Sequence, residues 1–205
     1  MRKDDHKQQL IKAIRDLHNR GWCDGTGGNF SVVYEQEPLR LLMAPSGMDK
    51  GSLEATDLIE VNAHGEVIGG EGNASAETLM HLQIIKQCSA GAVLHTHSIN
   101  GTFLSRRHQA EGHLKLSGWE MLKGLAGIST HDTTVELPII KNDQNLKYLS
   151  AKASQYLEDA PSGLLVEGHG LYAWGNDLFQ AKRHTEIIEF LLELSWRQTL
   201  LNKTL

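Results

Sequence analysis

His95-Thr96-His97 closes the apolar run Ala90-Gly91-Ala92-Val93-Leu94, and a third histidine stands far downstream between two glycines, in Gly168-His169-Gly170. Alternate side chains on a strand share a face, which sets His95 and His97 side by side about 7 Å apart along the chain. A third imidazole brought from elsewhere makes a three-nitrogen set with an open coordination position, the arrangement of catalytic rather than structural zinc. Glycines flanking His169 let the backbone approach closely and aim the ring. The pattern contains no cysteine ligand, so zinc is the first expectation, one ion per subunit, although iron, manganese or cobalt would also accept imidazole. A metal with an open position polarises carbonyl oxygens.

Two carboxylates could move protons beside such a metal. Glu77 and Glu120 are the candidate acid/base residues. Each has a plainer reading: Glu77 near a helix start is favoured by the helix dipole alone, and Glu120 could be a solvated helix residue. His81, one turn after Glu77, is placed to bond to it across the helix face. The glycine-rich stretch Gly25-Thr26-Gly27-Gly28-Asn29-Phe30 misses the dinucleotide fingerprint, because Phe30 replaces the last glycine and a strand follows instead of a helix. It reads either as a tight turn or as a nest of backbone N–H groups for an anion. Ala44-Pro45-Ser46-Gly47 and Ala74-Ser75 are further small, hydroxyl-bearing turns able to close around a phosphate. Arg106-Arg107-His108 reads as a solvated helix end.

The elements that must position these residues follow from periodicity. Leu10, Ile11, Ile14 and Leu17 give a helix over 5–20, ended by Gly21. Strands are expected at 30–34 and 39–43, and again at 57–61 and 66–68 around the turn Asn62-Ala63-His64-Gly65. Ser75 is expected to cap a helix running to Cys88. The histidine strand comes next, then a helix around 102–108 and a short helical segment at 117–124. Val135-Glu136-Leu137-Pro138-Ile139-Ile140 reads as a strand whose proline favours an edge. A helix over 145–158, strands at 164–166 and 171–174, and a long helix capped by Asp177 and reaching about Leu201 complete the chain. That last helix is apolar around much of its girth, as expected of burial on several sides, including at a subunit interface. The order of elements predicts α/β layers around a largely antiparallel sheet.

Composition narrows the class. The 205 residues suit one domain, 1–205, rather than two. A net charge of -5 and 22% charged residues give no global reason to expect nucleic acid as a partner. No run is long and apolar enough for a membrane span, and no secretory leader is evident at Met1-Arg2-Lys3-Asp4-Asp5-His6. Two cysteines, Cys23 and Cys88, make neither a disulfide framework nor a metal knuckle, so a cytoplasmic protein with reduced thiols is expected.

Taken together, Gly27-Gly28-Asn29-Phe30-Ser31, Pro45-Ser46-Gly47, Ser75-Ala76-Glu77, His95-Thr96-His97 and His169-Gly170, with Gly175 beyond, resemble the class II aldolase/adducin family over nearly the whole chain. The resemblance implies a three-layer α/β/α sandwich with a largely antiparallel central sheet. It also implies a divalent metal, usually zinc, on His95, His97 and His169, and phosphate-site positions at Thr26, Asn29, Ser46, Gly47 and Ser75. Homo-oligomers, commonly tetramers with sites near subunit boundaries, are implied as well. A narrower likeness rests on Ala74-Ser75-Ala76-Glu77-Thr78, Gly118-Trp119-Glu120-Met121-Leu122-Lys123-Gly124 and Leu137-Pro138-Ile139-Ile140. It is to the dehydrating branch, which acts on 5-methylthioribulose 1-phosphate in methionine salvage, and it implies that Glu120 is the principal acid/base and Glu77 a secondary one. Gly168 and Ala76 depart from the aldolase pattern of Asn before the third ligand and a Ser-Ser pair before the glutamate. The alternatives are an aldolase cleaving a ketose 1-phosphate, such as fuculose or rhamnulose 1-phosphate, and a non-catalytic adducin-like assembly module.

Overall fold

Strand alternation assigns every central strand two buried faces, and helices cover both. The computed structural model describes residues 2–201. Helix α1 (Lys3–His18) precedes strands β1 (Asn29–Glu35), β2 (Arg40–Met43), β3 (Ile59–Asn62) and β4 (Val67–Gly69). Helix α2 (Thr78–Cys88), strand β5 (Ala92–Thr96) and helix α3 (Ile99–Arg107) follow. Strands β6 (His113–Ser117) and β7 (Thr134–Ile140) come next, with a 3₁₀ turn at Glu120–Gly124 between them. The chain ends in helix α4 (Leu146–Leu157), strands β8 (Gly163–Val166) and β9 (Gly170–Gly175), and helix α5 (Leu178–Leu201).

The nine strands form one sheet in the order β4-β3-β2-β1-β5-β9-β8-β7-β6. All neighbours are antiparallel except β7 and β8, which the α4 crossover leaves parallel. On β5, Val93 packs with α2 and α4 through Ile84, Ile85, Leu149 and Ala153. Its neighbours Ala92 and Leu94 point the other way, among Leu10, Ile14 and Leu17 of α1 and Ala181 of α5. Toward the far edge, Leu137, Leu165 and Leu171 meet Ile188, Leu191 and Leu192 of α5. The architecture is therefore the three-layer sandwich with a mostly antiparallel sheet.

Three local expectations change. The helix after Ser75 begins two residues later, with Glu77 at its cap position. The Ser75 hydroxyl instead accepts the Glu77 N–H at 3.2 Å, and its carbonyl accepts from Thr78 N, so a serine turn leads into the helix. β7 lies inside the sheet rather than at its edge. Pro138 is tolerated because β7 joins β8 only at Ile139 and Ile140, while Pro138 itself pairs with His113 of β6 alone. The true edge is β6, a strand absent from the periodicity reading, although Leu114 and Leu116 alternate with more exposed residues as a half-buried strand should.

Candidate metal centre and active site

Each group in the site comes from an element end. β5 delivers His95 beneath α2, with Asn29 of β1 opposite it on one side and Tyr172 of β9 on the other. His97 lies just past the strand end, its N–H donating to Trp22 O at 2.7 Å. His169 occupies the turn between β8 and β9. That turn fits because Gly170 lacks a Cβ, which would overlap the carbonyl of Thr96. Glu77 enters from the N-terminal end of α2.

These four side chains converge, with one donor atom from each lying within 4.8 Å of all the others. His95 Nε2 is 2.7 Å from His97 Nε2 and 3.3 Å from His169 Nε2. Glu77 Oε1 is 3.0 Å from His169 Nε2 and 3.5 Å from His95 Nε2. Nδ1 of His95 sits 2.9 Å from the carbonyl of Leu171. A carbonyl only accepts, so Nδ1 carries the proton and the Nε2 lone pair points into the cluster. Burial, only partly offset by the Glu77 charge, holds His95 well below the usual imidazole range. Burial, aided by the His169 charge and opposed by Glu77, brings His97 down to about 4. Burial pushes the Glu77 carboxyl upward, but its hydrogen bond with His169 and the neighbouring imidazoles outweigh this and bring it to about 2. His95 Nε2, with its ring proton on Nδ1, has no hydrogen to offer His97, His169 or Glu77, so a proton or a cation must lie among these crowded donors. The donor set fits a divalent metal with nitrogen and oxygen ligands.

Residues around the donors fix their directions, as metal-ligand neighbours commonly do. Tyr172 stacks on the His95 ring at a centroid separation of 3.9 Å and donates its hydroxyl to Glu77 Oε1 at 3.2 Å. Asn29 donates its amide to Glu77 Oε2. His81 does not bond to the Glu77 carboxylate; its Nδ1 lies 2.8 Å from the Ser31 hydroxyl and its ring meets Tyr172 edge-on. Full burial lowers His81 to about 4. On the opposite side of the ligand strand, buried Glu189 of α5 accepts from the Thr96 hydroxyl at 2.6 Å. Burial raises Glu189 to about 7, despite hydrogen bonds from Ser98 and Thr96.

The small-residue turns gather at the same end of the sheet. A Cβ on Gly27 would lie 2.9 Å from His97 Nδ1, and Gly28, at φ +82°, would bring one 2.9 Å from His95 O. Thr26, Ser46 and Gly47 are exposed and Ser75 is half-buried, whereas Asn29 is buried and committed to Glu77. Ser46 N donates to Asn73 O at 2.9 Å, tying its turn to the segment before Ser75. Buried Lys50 donates to Thr26 O at 3.0 Å and Met48 O at 2.8 Å.

Glu120 lies elsewhere. Its segment packs against α5 through Leu122, on the opposite layer from α2. The side chain is 69% exposed and paired with Lys123, with His131 at 3.4 Å. Sequence reasoning missed Tyr172, Lys50 and Glu189. Tyr172 and Lys50 carry no local motif, and only the strand register or the loop packing brings them to the site.

A layered α/β/α fold with a three-histidine, one-carboxylate cluster at strand ends defines a metal-site class of protein. Residues 8–196 match the family described as Class II Aldolase and Adducin N-terminal domain, and the chain belongs to that family. Among curated relatives, methylthioribulose-1-phosphate dehydratase of Sorangium cellulosum is 42% identical over 189 residues, covering 90% of this chain and 88% of that protein. The protein of the same name from Serratia proteamaculans is 40% identical over 204 residues and covers 98% of each chain. Among solved structures, an L-fuculose 1-phosphate aldolase superposes with a TM-score of 0.80 at 25% identity, over 98% of this chain and 89% of that one. The aldolase of that name from Thermus thermophilus reaches 0.79 at 22% identity, over 98% of both chains, and shares the fold.

Proposed function

We propose that this chain is a hydro-lyase that converts 5-methylthioribulose 1-phosphate into 5-methylthio-2,3-dioxopentyl phosphate, a step of methionine salvage. The observation that carries this reading is the likeness, across almost the full length, to relatives named for that reaction. His95, His97 and His169, with Glu77 beside them, would hold the metal, and three imidazoles favour zinc. When bound, such a cation polarises a ketone oxygen and acidifies the adjacent C–H.

The chain's own groups do the rest. Glu77, kept anionic and oriented by Tyr172 and Asn29, directs the substrate oxygens. Thr26, Asn29, Ser46, Gly47 and Ser75 form the phosphate site, the Asn29 amide also holding Glu77. Glu120 removes the C3 proton and then protonates the C4 hydroxyl, which leaves as water; the C3 enol becomes a ketone. Exposed and on the opposite layer, Glu120 serves a site only where an assembly brings it there. A tetramer with sites at subunit boundaries supplies that route. A cytoplasmic location belongs to the same reading and suits the free cysteines Cys23 and Cys88. No described helix is long and apolar enough to cross a membrane.

The likeness to L-fuculose 1-phosphate aldolase keeps a second reading, ketose 1-phosphate cleavage. The metal-loaded protein should be offered methylthioribulose phosphate and fuculose phosphate separately. Water loss from the first with no cleavage of the second is expected. Release of dihydroxyacetone phosphate from fuculose phosphate at comparable efficiency would overturn the dehydratase reading. An adducin-like scaffold is disfavoured by the four converged donors, and it would take up no stoichiometric metal.

A further inference from the structure

Lys50 is almost wholly buried, at 1% exposure, yet no carboxylate among the described residues pairs with it. An ammonium has three donors, and two of them are spent on carbonyls, Thr26 O and Met48 O. A buried cation satisfied only by neutral acceptors is costly, and such charges normally have a partner of opposite sign. The two carbonyls belong to different loops, one carrying Thr26 and Asn29, the other Ser46 and Gly47. Burial lowers Lys50 from the ordinary lysine value, and neighbouring Cys23, Asp49 and Glu77 oppose this. His97 feels the ammonium in turn, which places Lys50 within electrostatic reach of the cluster. The glycine loop it holds packs directly on His97.

We propose that Lys50 is the positioning residue for the substrate's phosphate: it clamps the glycine loop to the Ser46–Gly47 turn and supplies the fixed positive charge that balances a phosphate dianion there. This rests on the reading of a phosphorylated substrate given above. The lysine does not touch the phosphate. It fixes the loops whose hydroxyls and N–H groups do, and its field, little screened by solvent, favours an anion over a neutral group of the same shape. Membership of the phosphate-binding turns alone would not predict this charge dependence.

Two hydroxamates that chelate the metal, phosphoglycolohydroxamate and unphosphorylated glycolohydroxamate, separate charge from shape. Their binding to the zinc-loaded protein is measured by calorimetry in wild type, Lys50→Met and Lys50→Gln. The wild type should bind the phosphorylated ligand more tightly. Both variants should lose about tenfold or more for that ligand while glycolohydroxamate affinity stays within about twofold. Equal weakening of both ligands means a merely structural role and overturns the proposal. Retained phosphate affinity in Lys50→Gln means that hydrogen bonding, not charge, is what matters, and overturns it too. So does a wild type that gains nothing from the phosphate. Lys50→Gln, which keeps a donor for the carbonyls, covers the case in which Lys50→Met fails to fold. If the ligands behave as expected but the wild type does not dehydrate methylthioribulose phosphate, the dehydratase reading fails and the role of Lys50 stands.

Discussion

The two glutamates with candidate proton roles occupy opposite kinds of environment. Glu77 is 15% exposed, held by Tyr172, Asn29 and His169, and brought down to about 2. Glu120 is 69% exposed, on a short turn, and lowered chiefly by its hydrogen bond with Lys123. One is rigid, fixed in charge and aimed at the donors. The other is solvated and free to exchange protons, but separated from the donors by the sheet. The contrast teaches that orientation and proton transfer need different surroundings; under the proposed function, the chain would divide them between layers.

The strongest way to break that comparison is to remove its common target. Stripping the metal by chelation, or changing His97→Ala, should lower turnover by about 10³-fold or more, and zinc should restore the chelated protein but not the variant. Metal content by elemental analysis checks the cause. Next, Glu120→Gln should lower kcat by about 10²–10⁴ with metal retained, and Glu77→Gln should cost less once the two are compared at equal metal content. An equal or greater loss at Glu77 reverses the ranking. Mixed oligomers of Glu120→Gln and His97→Ala chains should regain activity that neither has alone, because an intact cluster then meets an intact Glu120. No regain would place Glu120 outside a shared site. A smaller effect, about tenfold on metal affinity or activity, is expected for Tyr172→Phe, which keeps the stack on His95 but releases Glu77.

The mildest test concerns stability and pH. Glu189 is raised in the fold to about 7 from an unfolded value near 4.5, so the folded state holds more protons between them. Its contribution is therefore complete below about 4.5 and is lost as pH rises through about 7. Glu189→Gln should melt about 5 °C above wild type at about pH 8 and close to it at about pH 4.5, read by thermal unfolding of the metal-loaded protein. His81 acts in the other direction. Lowered to about 4, it favours the fold above about 6.5 and withdraws that support as pH falls toward 4.

Much of this arrangement is legible in the residues. Period-two alternation and the flanking glycines announce His95, His97 and His169, and the family resemblance gives the sandwich. Helix periodicity finds α1, α2, α4 and α5 to within a few residues. What stays hidden depends on contacts remote in sequence. Tyr172 looks like an ordinary strand aromatic until β9 aligns it with His95. Lys50 looks like a surface lysine in Met48-Asp49-Lys50-Gly51 until two loops fold over it. The local pattern from Glu77 to His81 points to a pair, but Ser31 on β1 captures the imidazole instead. β6 escapes notice because two leucines in five residues are a weak signal beside the polar positions between them.

The donor set draws on a helix start, a strand end and a distant turn, running from residue 77 to residue 169. An ion seated among them is a reversible cross-link between segments that share no covalent neighbour. A protease cut in the exposed stretch near Thr130 would then leave two fragments joined by the ion as well as by the β5–β9 pairing, and a chelator should make them easier to part.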